Sequence, residues 1–398
     1  MISGSALFSC HLAESLAERG HQVLVLAASD LPDAYCQKKG NLQVTRIQSL
    51  PNPLRIGQRF LLWPYREVHA ALQEFQPQVI HLHDPLQLAD IALAYARQAQ
   101  IPSVVTIHAH PRLVTSHMTE NPLLQNLVEK WLWGIATHLE GQVQAWVTPT
   151  QTNARLVEKH TRLHPLVISG GVDLNAFSAS PLTCQEQQDL RLCLGIPCGA
   201  RVLLHVGRLD PGKNVPMVIR AAAELIKGDP SLDVHLLVVG DGIEKTALHQ
   251  QAQKLGISLF CHFPGYIHDY DLLSGIYRTT NLFLMASTVE TQGLVLLEAA
   301  ASGLPIVAME ATAIPEIVIH GVNGFLVPLG DVAGMARCTG ELLRDESLSK
   351  RMGLASRRIA MGHDFEKSVT AYEQVYLSME FGQQLKEPLP VPVGNEWR

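Results

Sequence analysis

The sequence predicts an α/β protein made of two doubly wound, parallel-sheet domains. Three observations carry that reading. Short apolar segments alternate with amphipathic helical stretches along nearly the whole chain, the pattern of parallel strands joined by crossover helices. A length of 398 residues suits two domains of ordinary size, and 47% hydrophobic against 17% charged residues is enough to bury two cores. A polar break at 178–180 and 184–189 separates one series of strands from another.

Taken in order, an amphipathic helix over 7–19 ends at Gly20. Strands are expected at 22–28, 42–47, 78–83, 103–108, 145–148 and 166–169. After the break a second series falls at 201–206, 233–239, 259–263, 282–285, 305–308 and 325–327. A helix over 365–379 follows, then a Pro-rich tail. The domains are therefore drawn as 1–180 and 195–364, with the tail at 386–398.

Composition removes several classes of function. A pI near 6.3 argues against nucleic acid as the main partner. Seven scattered cysteines, with no second Cys or His pair at zinc spacing beside Cys193 and Cys198, read as reduced thiols, so a cytoplasmic location is expected. The opening residues do not read as a signal peptide, and with no apolar run of 18 residues no spanning helix is expected. Residues 1–180 hold 13 basic and 13 acidic side chains, and the remainder 18 and 24. The acidic half is expected to bind a nucleotide, and the neutral half is the better suited to an anionic membrane surface.

The most informative segment is Glu290-Thr291-Gln292-Gly293-Leu294-Val295-Leu296-Leu297-Glu298. A helix starting near Gly293 would present free N–H groups and its positive dipole end to an anion such as phosphate. One glutamate precedes that anion site; the other lies on the helix, roughly 8 Å past its start. A carboxylate accepts two hydrogen bonds from a vicinal diol. Two carboxylates flanking a phosphate site suit a ligand with a hydroxylated ring at each end, a nucleoside-diphosphate sugar. Alone, such a glutamate pair is ordinarily solvent-facing. Glu298, however, stands in an otherwise apolar run, where an unpaired charge costs several kcal/mol, so a ligand partner is expected.

Upstream, the buried strand 201–206 ends in Gly207-Arg208-Leu209-Asp210-Pro211-Gly212-Lys213-Asn214 and leads into a helix. Such a loop lies at the carboxyl edge of a parallel sheet, where these folds bind ligands. Arg208 offers a planar fork and Lys213 a point charge to a diphosphate.

These motifs resemble the retaining family-4 glycosyltransferases of the GT-B fold, two Rossmann-like domains facing across a cleft. The likeness includes Ile168-Ser169-Gly170-Gly171-Val172-Asp173, Val239-Gly240-Asp241-Gly242, Phe263-Pro264-Gly265-Tyr266 and Gly321-Val322-Asn323-Gly324-Phe325. It runs from about Gly4 to the helix of 365–380, which in the resembled fold crosses back onto the first, acceptor-binding domain. What the resemblance implies is transfer of a hexose from a nucleoside-diphosphate sugar to an acceptor hydroxyl with retention, without cofactor or metal. Arg208, Lys213 and the N–H groups of Gly293 and Leu294 would then neutralise the leaving diphosphate. Glu290 would hold the sugar and Glu298 the ribose, and Gly265 and Tyr266 would face the base. Gly207 and Gln292 belong to the same donor loops. His108, at a strand end, would sit beside the donor sugar. His83 reads as structural, and Asp269-Tyr270-Asp271 reads as a helix cap rather than a metal motif.

The Glu290–Leu294 form of the motif and Trp146-Val147-Thr148-Pro149-Thr150 resemble the branch that glucosylates diacylglycerol. A lipid or sugar acceptor is therefore expected. The stretch 54–66, with its aromatics and three arginines, is a candidate for contact with an anionic membrane, peripheral on the inner face. Two other enzymes remain open: an epimerase of the same fold, and a dinucleotide-dependent oxidoreductase, whose third fingerprint glycine is Lys245 here. Family members place a strand and a Gly-rich turn before the first helix, whereas only Met1 and Ile2 precede Ser3. The first domain is accordingly expected to lack its central first strand and to expose two strand edges. The natural reading frame is then expected to start upstream, or the protein to be a crippled, inactive homologue. Gly4 would be what remains of the turn.

Overall fold

The computed structural model describes residues 4–51, 59–61, 63–83, 87–108, 121–177, 180 and 182–380. They form two compact units, one from the chain up to Ile168 together with the segment from Lys367, the other from Ser169–Glu366.

The first unit opens with helix α1 (Gly4–Glu18), which buries Phe8, Leu12, Ala13, Leu16 and Ala17 on one stripe. Strand β1 (Val23–Ala28) pairs in parallel with β3 (Leu42–Ile47), and β2 (Tyr35–Lys39) adds antiparallel at the edge. Short β4 (Ser49–Pro51) and β5 (Arg59–Leu61) pair with each other. Next come α2 (Tyr65–Phe75), β6 (Ile80–His83), α3 (Gln87–Ala99), β7 (Ser103–Thr106), α4 (Pro122–His138), β8 (Ala145–Thr148), α5 (Gln151–His160) and β9 (Leu166–Val167). Strands β6-β7-β8-β9 make a separate four-stranded parallel sheet. Among the described residues β1 and β6 are each paired on one side only. The cost shows in burial: Val-Leu-Val-Leu-Ala-Ala of β1 is only half-buried throughout, whereas β7 and β8 are buried completely.

In the second unit, α6 (Cys184–Cys193) precedes β10 (Arg201–Val206), α7 (Val215–Gly228), β11 (Val234–Val239), α8 (Lys245–Lys254), β12 (Cys261–Gly265), α9 (Tyr270–Thr279) and β13 (Leu282–Met285). Then follow α10 (Leu294–Ala301), β14 (Ile306–Met309), β15 (Gly324–Val327), α11 (Val332–Arg344) and α12 (Glu346–Gly362). One parallel sheet runs β12-β11-β10-β13-β14-β15. In chain order that is 3-2-1-4-5-6, the doubly wound arrangement, with strand order reversing between β10 and β13. Aliphatic runs such as Val-His-Leu-Leu-Val-Val of β11 are buried on both faces because apolar clusters lie on either side.

The polar stretch 184–189 is helical and not a linker. Thr183 and Glu186 form a reciprocal capping box that starts α6, and the buried Arg191 ties the helix down by donating to the carbonyls of Cys198, Ala200 and Thr279. Asp269 caps α9 as expected, accepting from the Leu272 N–H at 3.0 Å. All seven cysteines are free thiols. The last helix, α13 (Phe365–Glu380), joins the first unit through its later turns. There Tyr372 and Tyr376 hydrogen-bond Thr106 and His81 at 3.1 and 2.7 Å, and Glu373 pairs with Arg19 at 2.9 Å.

Candidate active site

At the switch point of the second unit the loops after β10, β11, β12 and β13 meet. They are knit beyond the strand ends: Gly207 N–H donates to Val239 O, Leu209 N–H to Asp241 O, Gly240 N–H to Gly265 O, and Thr288 N–H to Gly212 O, all within 2.9–3.1 Å. Gly240 has φ +141°, and a Cβ there would lie 1.8 Å from the Gly207 carbonyl oxygen, so this approach requires glycine. Gly265, at the end of β12, also has a positive φ, +87°, with Lys245 beside it and paired with Asp241 at 3.0 Å. Tyr266 follows, half-exposed and edge-on to His268.

Within this framework the expected charges come together. Lys213 Nζ donates to Glu290 Oε1 at 2.5 Å, joining the loop after β10 to the loop after β13. Glu290 is buried and its backbone is clamped by Thr312, which accepts from its N–H at 2.7 Å and donates to its carbonyl at 2.8 Å. Its position therefore does not depend on Lys213. Arg208 pairs with Asp210 at 2.9 Å and stays one-third exposed. Beneath them lies His205, fully buried. Because Leu284 O can only accept, His205 Nδ1 carries the proton; burial lowers the ring's pKa to about 4, so it is neutral. Its Nε2 has no partner among the described residues.

Gly293, at φ +80°, caps α10, whose first N–H groups begin at Leu294. Glu298 lies one turn further in. It is buried, and its charge is not left to a ligand alone: the Tyr277 O–H donates to Oε2 at 2.7 Å. Burial pushes its pKa up to about 7, while that hydrogen bond pulls the other way.

Gln292 has a structural role that the sequence did not indicate. Its Oε1 accepts from Gly170 N–H at 2.8 Å and its Nε2 donates to Ser169 Oγ at 2.5 Å. The side chain thereby fixes the Ser169–Gly170 loop against the Glu290 loop. Thr312 and Tyr277 carried no signal in the sequence: each acts from a different segment, 22 and 21 residues away from its partner.

In the first unit, His108 follows β7. Its Nε2 meets His83 Nδ1 at 2.9 Å with the rings stacked, and burial lowers its pKa to about 4. His108 is thus a neutral hydrogen-bonding group packed on Phe8. Gly4, expected in a turn, is instead the first residue of α1. Of the stretch 54–66, residues 54–58 and 62 lie outside the described residues. Arg59 is used internally, donating to Ser49 and the Leu31 carbonyl, while Trp63 is 90% exposed. A clearer apolar surface is α4, where Leu123, Leu127 and Trp131, at 64–80% exposure, recur every four residues on one face. No described helix is long and apolar enough to cross a membrane. No cluster of three metal-ligating side chains occurs among the described residues.

Known proteins share both the sequence and the fold. The family profile described as "Glycosyltransferase Family 4" matches residues 2–176, and that of "Glycosyl transferases group 1" matches residues 200–345. Glycogen synthase of Mycobacterium tuberculosis is 28% identical, over 98% of this chain and 95% of its own. Alpha-monoglucosyldiacylglycerol synthase of Streptococcus pneumoniae is also 28% identical, over 77% of this chain and 68% of its own. The crystal structure of HepE of Anabaena in complex with UDP-glucose superposes with a TM-score of 0.75 at 22% identity, over 95% and 97% of the two chains. The doubly wound sheet, the basic loop facing Glu290 and these matches along most of the chain agree: the protein belongs to the group 1, family-4 glycosyltransferases, enzymes of the GT-B fold.

Proposed function

We propose that the protein moves a hexose from a nucleoside-diphosphate sugar to a hydroxyl of a membrane glycerolipid, with retention of anomeric configuration. The observation that carries this reading is the Lys213–Glu290 pair at the switch point, adjoining the start of α10. Among the described residues each of these charges has the other as its counter-ion. A donor diphosphate competes for Lys213, and the sugar hydroxyls take over the Glu290 oxygens. Arg208, Lys213 and the N–H groups of Gly293 and Leu294 then neutralise the departing diphosphate, whose own oxygen accepts the acceptor's proton. Positive charge comes from side chains and a helix end, so the scheme needs no metal. Glu298 receives the ribose hydroxyls.

A nucleotide donor is supported by the bound UDP-glucose of the similar structure, and a lipid acceptor by the similar diacylglycerol enzyme and the apolar face of α4. The test is incubation with radiolabelled UDP-, ADP- and GDP-hexoses, with diacylglycerol in anionic vesicles, with a soluble glucan, or with no acceptor. Label in the lipid phase, α-linked by NMR, supports the proposal. Label in the glucan alone moves the acceptor to a polysaccharide, and epimerised free donor moves the enzyme to a different class.

A further inference from the structure

The geometry points to Tyr277 as the positioning residue that holds Glu298 ready for the donor's ribose hydroxyls. This rests on the reading of Glu298 as the ribose acceptor. Tyr277 is fully buried on α9, its ring edge-on to Phe177 (5.4 Å, 87°) and nearly parallel to Phe283 (5.9 Å, 24°), so the phenol has a single direction available. Its O–H lies 2.7 Å from Glu298 Oε2; the alternative acceptor, Val295 O, is at 3.5 Å and does not compete. Tyr277 thus takes one lone pair of Oε2 from below and leaves Oε1, with the rest of Oε2, for a vicinal diol.

Electrically the site is unusual for an acid. The influences acting on Glu298 are burial, which favours the neutral form, and the Tyr277 hydrogen bond, which favours the carboxylate. The other group facing it from α9 is the Tyr270 phenol, which is neutral and held well above its usual range by burial, by Glu298 and by Asp173. Among the described residues no cation contributes. There the phenol O–H is the feature that keeps Glu298 an acceptor for two donors, and a protonated Glu298 offers the diol one acceptor fewer.

Tyr277→Phe keeps the ring and its packing and removes only the O–H. Calorimetric titration of whichever of UDP, ADP and GDP binds the parent most tightly, from pH 6 to 9, reads the consequence; titration of the ligand phosphate cancels in the variant-to-parent ratio. Losing one hydrogen bond to a carboxylate shifts its midpoint by about one pH unit, from about 7 to about 8. The variant then binds about fivefold more weakly at pH 7 and recovers to within about twofold by pH 9. KM for donor rises correspondingly at pH 7 with kcat little changed. Glu298→Gln, which has no charge to gain, instead falls further behind the parent as pH rises, by up to about tenfold between pH 6 and 9. A Tyr277→Phe ratio of one at every pH, or a loss that does not recover with pH, overturns the proposal. If Glu298→Gln binds like the parent at pH 9, or no nucleoside diphosphate binds the parent, the ribose assignment itself fails, and with it this role for Tyr277.

Discussion

Replacing Glu298 by glutamine should make the second unit more stable, and only above neutral pH. In the unfolded chain this carboxyl ionises near its ordinary value of 4.5, while in the folded protein burial holds it neutral up to about 7. A group whose pKa is raised by folding stabilises at low pH, and that contribution is lost as pH climbs through the folded value. Here the loss accrues between about 4.5 and 7 and is complete by pH 8. The difference between those two values, at about 1.4 kcal/mol per unit, gives up to about 3 kcal/mol. Glutamine has no charge in either state and still offers Tyr277 an acceptor. Glu298→Gln should therefore match the parent near pH 4.5 and exceed it by about 2–3 kcal/mol at pH 8. With a urea slope of about 2 kcal/mol/M, that raises the midpoint by about 1–1.5 M. Urea unfolding followed by circular dichroism reads it, with hydrogen exchange on β13 and β14 assigning the transition to this unit. Equal midpoints at pH 8, or an equal gain at both pH values, would refute the argument.

Three further outcomes are expected. Lys213→Ala should weaken nucleoside-diphosphate binding by tenfold or more, on the order of one lost charge-assisted contact, while Glu290→Gln, which frees Lys213, should spare that binding and lower turnover; calorimetry beside a donor-consumption assay separates the two. Gly240→Ala should cost about 3 kcal/mol or more, because the added methyl collides with the Gly207 carbonyl and the backbone itself must shift; thermal unfolding of the two proteins measures it. The protein should sediment with anionic vesicles and be released by salt, and Leu127→Ser with Trp131→Ser on α4 should leave it in the supernatant; no difference from the parent removes α4 as the contact.

Much of the architecture was legible because its signals are local. The alternation of aliphatic strands and amphipathic helices in 201–327 predicted six strands, and the structure places six in one parallel sheet. The segment 184–189 misled because its polarity outweighed the Thr183-x-x-Glu186 signature that in fact starts a helix. Strand β2 gave no signal because its five residues are polar and solvent-facing, and β4 and β5 because nothing alternates cleanly in three residues. In the site, Lys213 and Glu290 could each be assigned to the donor from chemistry and the resemblance, but not their direct pairing across 77 residues, and the packing role of Gln292 could not be foreseen. Its role is set by two bonds to Ser169 and Gly170, more than 120 residues away. Glu298 was flagged as a charge in an apolar run, but its protein partner, Tyr277, comes from the neighbouring crossover helix, which spacing alone does not specify.

The return of α13 to the first unit has a consequence for biosynthesis. Hydrogen bonds it makes there span an enormous stretch of chain: 266 residues from Thr106 to Tyr372, 295 from His81 to Tyr376, 354 from Arg19 to Glu373. The second unit closes on itself within Ser169–Glu366 and can fold as soon as that segment leaves the ribosome. The first unit, although made first, must wait for it. At about 5–20 residues per second the delay is on the order of 10–40 s. Throughout it the His81–Thr106 pair and the half-covered β1 lack the helix that completes their unit. The earlier-born half of this enzyme is thus the later to mature, and the half a chaperone would need to shelter.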